Sequence, residues 1–178
     1  MMTPTESLLR IAFDSQYFAA ISTLRAAAIF VRDNDLFLEP IATRPCWEAL
    51  LHTAYFTHFY LTPAAEPHPE PPAWANKDAL SFGWSWDPPY TRVDTGDPPA
   101  FDPLLALIDE TLDKARTVIS NETEDTLNGP SGFDWLPITR AEHHIYNIRH
   151  AQHHSAQIEA MLRKHDLDPQ WIGRRKGE

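Results

Sequence analysis

Cysteine is almost missing from this chain: Cys46 is the single one in 178 residues, so no intramolecular disulfide can staple it. Cys46 stands near the start of an expected helix, where a dipole can lower a thiol pKa, but burial as an inert small hydrophobe is the expectation. Positive charge is also scarce. Against 25 acidic residues the chain has 15 basic ones, a net charge of −10, which argues against nucleic acid or an anionic membrane as partner. Arg174, Arg175 and Lys176 read as part of a solvated tail. No apolar run approaches the roughly 20 residues that span a bilayer, and none follows a basic N-terminus, so the cytoplasm is the expected compartment. A phosphate loop, a Gly-x-Ser-x-Gly elbow and a paired-cysteine zinc motif are absent as well.

What is present is helical periodicity. Thr3, Pro4 and Glu6 form a start signal, and Leu8, Ile11, Ala12, Phe18, Ile21, Leu24, Ala28 and Val31 then recur every three or four residues until Asp33 and Asn34. Phe13, Tyr17 and Phe18 are expected as core filler. Thr43 and Pro45 announce a second helix, Cys46 to Leu61, apolar nearly all round and so deeply buried. Asp102 and Pro103 open a third, with Leu104, Leu105, Ile108, Leu112, Ala115, Val118 and Ile119 as its core stripe and Asn121 to Pro130 as its end. Thr139 and Glu142 cap a fourth, Thr139 to about Lys164. Between the second and third helices, nine prolines from Pro63 to Pro99 exclude a single regular element. Trp74, Phe82, Trp84, Trp86 and Tyr90 give that segment apolar area to dock as an ordered flap. The alternation Phe82, Trp84, Trp86 also allows a short strand or a partner surface.

The expected fold is therefore all-α: a four-helix bundle with a long proline- and aromatic-rich insertion between the second and third helices. One domain, 1–178, contains the insertion at 62–101 and a tail at 166–178.

The chemistry concentrates in the last helix, which carries His143, His144, His150, His153 and His154. His150 and His154 are four apart, so both imidazoles lie on one helical face where they can share a metal ion. A third ligand is expected from His52, in the middle of the buried second helix, where an imidazole must be hydrogen-bonded or coordinate something. His143 lies roughly 10 Å back along the axis, too far to join. His144 is expected to be hydrogen-bonded in the core, His153 on the surface, and His58 structural or partly exposed. No glutamate follows His150, which excludes a zincin base, and no histidine is preceded by glutamate at three residues, which excludes a carboxylate di-iron bundle.

A mid-helix His52 in a Trp47 to Tyr55 setting, then a closing helix running Tyr146-Asn147-Ile148-Arg149-His150-Ala151-Gln152-His153-His154-Ser155-Ala156-Gln157-Ile158, resembles the DinB-like (DinB/YfiT) superfamily. The resemblance covers the helices, not the insertion or the tail. It implies a helical bundle whose metal triad corresponds to His52, His150 and His154, holding a divalent ion: zinc first, with nickel or iron as alternatives. Where many members have Arg-Gly after the second histidine of the pair, this chain has Ser155 and Ala156. Some branches are thought to be thiol transferases, others hydrolases or isomerases. An ion on three imidazoles lowers the pKa of a fourth ligand, which suits a small thiol substrate. Two functions follow as expectations. One is a metal-dependent enzyme, a low-molecular-weight-thiol S-transferase with the insertion roofing its site. The other is a non-catalytic metal-stabilised bundle whose exposed tryptophans serve homodimerisation or partner binding.

Overall fold

The computed structural model describes residues 4–85 and 88–174. Thr3, Trp86, Arg175 and Lys176, expected as a helix cap, a docking aromatic and part of a basic tail, lie outside the described residues. The chain is mostly helical, in the order α1 (Pro4–Asp33), β1 (Pro40–Ile41), β2 (Arg44–Pro45), α2 (Cys46–Tyr60), α3 (Lys77–Leu80), α4 (Phe101–Asn121), α5 (Glu124–Asn128) and α6 (Arg140–Arg163). No described helix is long and apolar enough to cross a membrane.

The four long helices pack on one another, α1 against α4 and α6, α2 against α6 and α4. Their directions follow from the contacts. Arg10 donates to the Ser120 carbonyl, Arg25 to Asp109 at 2.6 Å, and Arg32 lies over Phe101, so α1 and α4 are antiparallel. Tyr60 meets His143 while His52 meets His150, so α2 and α6 are antiparallel too. His58 faces Thr111 and Thr62 accepts from Lys114, which makes α2 and α4 parallel. Two parallel helices adjacent in sequence require the connecting chain to travel back along their length. The long segment after α2 is that return, not an appendage on one end.

Most of the apolar periodicity lands in the core, with Ile21, Leu24, Ala28, Val31, Leu50, Leu51, Ile108 and Ile158 essentially inaccessible. Cys46 is fully buried as expected, and burial, then the charge of Glu39, pushes its thiol up to about 12.

Several expectations are corrected. Leu8 and Ile11 are 68% and 65% exposed and Ala12 is exposed with them; the first turns of α1 lie at the end of the bundle, where Arg10 is already level with the last turn of α4. The buried seam starts instead at Phe13 and Tyr17. Thr43 does not start α2. Pro45 is its N-cap without a side-chain bond, and backbone pairing of Pro40 with Pro45 and of Ile41 with Arg44 delivers the chain to the helix. Asp102 does not cap α4, whose N-cap is Ala100, and Leu107 takes the buried place expected of Leu105. The terminating stretch after Asn121 contains α5, opened by a reciprocal bond between Thr123 and Thr126. Thr139 caps α6 as its sequence indicates, accepting from the Glu142 N–H.

In the return segment, Phe82 alone of the described expected aromatics packs on the core; Trp74, Trp84 and Tyr90 are 38%, 43% and 66% exposed. The backbone explains this. Phe82 and Gly83 have φ of 55° and 65°, which breaks any strand alternation and turns Trp84 out beneath Arg92 at 4.2 Å. A side chain at Gly83 would meet the Arg44 guanidinium and the Val93 carbonyl at 2.8 and 3.0 Å, so only glycine fits.

A buried polar network ties the ends of three helices together. Arg140, 2% exposed, donates to the carbonyls of Tyr60, Leu61 and Thr62 at the end of α2 and to Glu122 at 3.0 Å. His144 Nε2–H donates to the same carboxylate, while its Nδ1 accepts from the Tyr17 hydroxyl at 3.0 Å. Asn147 donates to Tyr17 and to the Thr57 carbonyl. Burial alone would raise the Glu122 pKa; the hydrogen bonds from His144, Thr126 and Arg140 and the Arg140 charge outweigh it and hold the group at about 2.

Because an unfolded glutamate titrates near about 4.3, the Glu122 contribution is complete above that pH and is lost as the pH falls toward 2. His143, lowered to about 3 by burial and by Arg140, adds to the loss from about pH 6.5 downward, since its unfolded form takes up the proton first. Urea unfolding across pH 7 to 3 should show this decline. Glu122→Ala, which strands the buried Arg140 charge, should cost about 3–5 kcal/mol at pH 7.

Candidate metal centre

The antiparallel course of α2 and α6 brings His52 opposite His150 and His154. One ligand nitrogen from each of the three lies within 4.8 Å of the others, and among the described residues no carboxylate or thiol joins the group. His52 Nε2 and His150 Nε2 are 3.1 Å apart, and the His154 ring lies 4.6 Å from that of His52 and 4.8 Å from that of His150.

Second contacts fix which nitrogens face inward. His52 Nδ1–H donates to the Leu80 carbonyl at 2.6 Å, so its Nε2 carries the lone pair. His154 Nδ1–H donates to Gln157 Oε1 at 2.9 Å, which likewise leaves Nε2 free, and Gln157 Nε2 reaches His153 at 3.3 Å. These are the outer partners that set the tautomer and orientation of ligating histidines. His150 differs: its buried Nδ1 has no partner within the protein.

Apolar rings surround the cluster. Phe82 stacks on His52 with centroids 4.1 Å apart, and Phe56 lies 4.8 Å from the same ring. Burial, opposed by the Leu80 bond and helped by His154, lowers the His52 pKa to about 3. Burial and the neighbouring imidazoles lower that of His150 to about 2, and burial lowers His154 as well. All three are neutral at pH 7, the form that donates a lone pair to a cation. Three nitrogens leave a tetrahedral ion a fourth position. Beside His150, a groove of about 380 Å³ is lined by Tyr146, Arg149, Gln152 and His153.

The other histidines fall where their spacing put them. His143 is buried beside Tyr60, Phe133 and Arg140, away from the cluster. His144 is hydrogen-bonded in the core, His153 is exposed, and His58 is half-buried against Thr111. The Leu80 carbonyl and the Phe82 ring had no sequence signal, because a backbone acceptor from a distant segment leaves none. Gln157 did have one, three residues after His154 on the same helical face.

Three imidazoles facing each other in an apolar pocket are poor for the stability of the metal-free fold, as binding sites often are. His150→Leu removes an unpartnered buried nitrogen, so thermal unfolding in EDTA should show this variant more stable than the parent by about 1–3 kcal/mol. In excess divalent ion the order should reverse.

The sequence pattern of the DinB superfamily matches residues 15–158, a span containing His52, His150 and His154. No curated protein and no solved structure matches the chain.

Proposed function

We propose that the chain, which belongs to the DinB superfamily, is a divalent-metal enzyme, a low-molecular-weight-thiol S-transferase, that holds its ion through His52, His150 and His154 and joins the intact thiol through its sulfur to an acceptor. The convergence of three neutral, inward-facing imidazoles from two helices carries this reading. The scaffold is a four-helix bundle whose long insertion is the return between its second and third helices. Imidazole ligation suits zinc first, with nickel or iron as alternatives. When bound, the ion supplies a Lewis acid that lowers the pKa of a thiol or water in its open position.

The chain's own residues do the rest. Leu80 and Gln157 hold two of the rings in their ligating tautomers, and Phe82 covers His52 against water. The groove beside His150 gives a small substrate a way to approach from the α6 side. Among the described residues, no carboxylate stands in the cluster to act as general base, which leaves activation to the ion.

The second reading is a non-catalytic metal-stabilised protein that dimerises. It is favoured by the exposed tryptophans, with Trp135 at 58% and Trp171 at 74% exposure. Light scattering at increasing protein concentration, with and without metal, separates the two.

Untagged protein should carry one divalent ion per chain by elemental analysis. His52→Ala, His150→Ala and His154→Ala should each abolish it while the helical circular dichroism persists. Gln157→Leu, which frees the His154 ring, should weaken metal affinity about 10–100-fold without abolishing it. Wild-type affinity in all three alanine variants would refute the site.

A further inference from the structure

The groove beside the histidines holds a cation with nothing to neutralise it. Among the described residues Arg149 makes no ion pair, hydrogen bond or ring contact, while the arginines from Arg10 to Arg140, and Arg163, are each engaged with an acceptor or an aromatic face. It sits on α6 with Tyr146, His150 and His153 at spacings of three, one and four, a strip along one flank of the helix. The surrounding protein has a net charge of −10, a field that repels anions in general. An anion brought to this flank therefore needs a local cation, and the groove supplies one next to a member of the histidine cluster.

Hydrogen-bonding capacity in the groove points the same way. Gln152 adds an amide to the lining, and Tyr146 adds a phenol whose hydroxyl is paired with that of Tyr60. His150, a member of the histidine cluster, borders the same groove. A guanidinium fork with adjacent neutral donors matches a planar carboxylate.

We propose that this groove binds the carboxylate of a small organic acid, with Arg149 as its ion-pair partner. This names the substrate class of the metal site, a carboxylate-bearing thiol, and to that extent rests on the function proposed above.

Succinate, a dicarboxylate without a thiol, and mercaptosuccinate, the same skeleton with one, separate the two ideas. Calorimetric titration of metal-free and metal-loaded protein should show succinate binding to both forms. Arg149→Ala should weaken succinate binding about tenfold or more, with metal content unchanged, and Arg149→Lys should recover part of the loss. Mercaptosuccinate should bind more tightly than succinate in the metal-loaded form only. Equal succinate affinity in wild type and Arg149→Ala, no succinate binding at all, or tighter binding of inorganic phosphate than of succinate would overturn the carboxylate groove. If succinate depends on Arg149 but no metal binds, the groove stands and the metal-enzyme reading fails.

Discussion

Arg140 sets the register of α2 against α6. Buried and clamped on the carbonyls of Tyr60, Leu61 and Thr62, it satisfies the end of one helix from the first turn of the other. From that point the helices run in opposite directions. His52 lies eight residues before Tyr60, about 12 Å along the axis, and His150 ten residues after Arg140, about 15 Å. The reach of the arginine side chain takes up the difference, and the two imidazoles meet. Glu122 keeps the guanidinium charge compensated, and His144, Tyr17 and Asn147 extend the same network to α1 and α4. The histidine cluster thus depends on a structural ion pair more than two helical turns away.

The return segment matters for the same geometric reason. With α2 and α4 parallel, the chain must cross from the end of one to the start of the other, and α4, at 21 residues, is about 30 Å long. The crossing passes the middle of α2, where His52 lies. There it contributes a carbonyl at Leu80 and a ring at Phe82, with Asn76 capping the short α3 that positions them. Prolines suit such a segment, since its described turns and irregular stretches need few backbone donors. Trp84 stays outside because the left-handed turn at Phe82 and Gly83 spends the inward-facing position on Phe82.

Charge is arranged in opposition between the two polar centres. Near the end of α2, a full ion pair is buried and every strong donor of Arg140 has an acceptor. At the histidine cluster, three neutral, partly buried rings turn their nitrogens toward one another, an arrangement that offers a cation its ligands. Outside both, the surface is strongly acidic, with Arg149 as an isolated positive point beside the cluster.

The sequence by itself determined the four long helices, since a period of three to four survives any packing, and it indicated the three histidines that come together. His150 and His154 follow from spacing within one helix, and His52 from its place in a helix too apolar to leave an imidazole exposed. It also indicated Cys46 as buried and His143, His144 and His153 as outside the cluster, because all three share one helix whose wheel and axial rise can be drawn. Tertiary structure alone decided the rest. Leu8 and Ile11 follow the apolar period but lie where no helix faces them. The starts of α2 and α4 are set by backbone pairing and chain entry, not by a capping side chain. Leu80 joins the site through a carbonyl, which every residue has and no composition marks. The parallel course of α2 and α4 came from contacts between segments far apart in the chain, and such contacts leave no periodic trace in either segment.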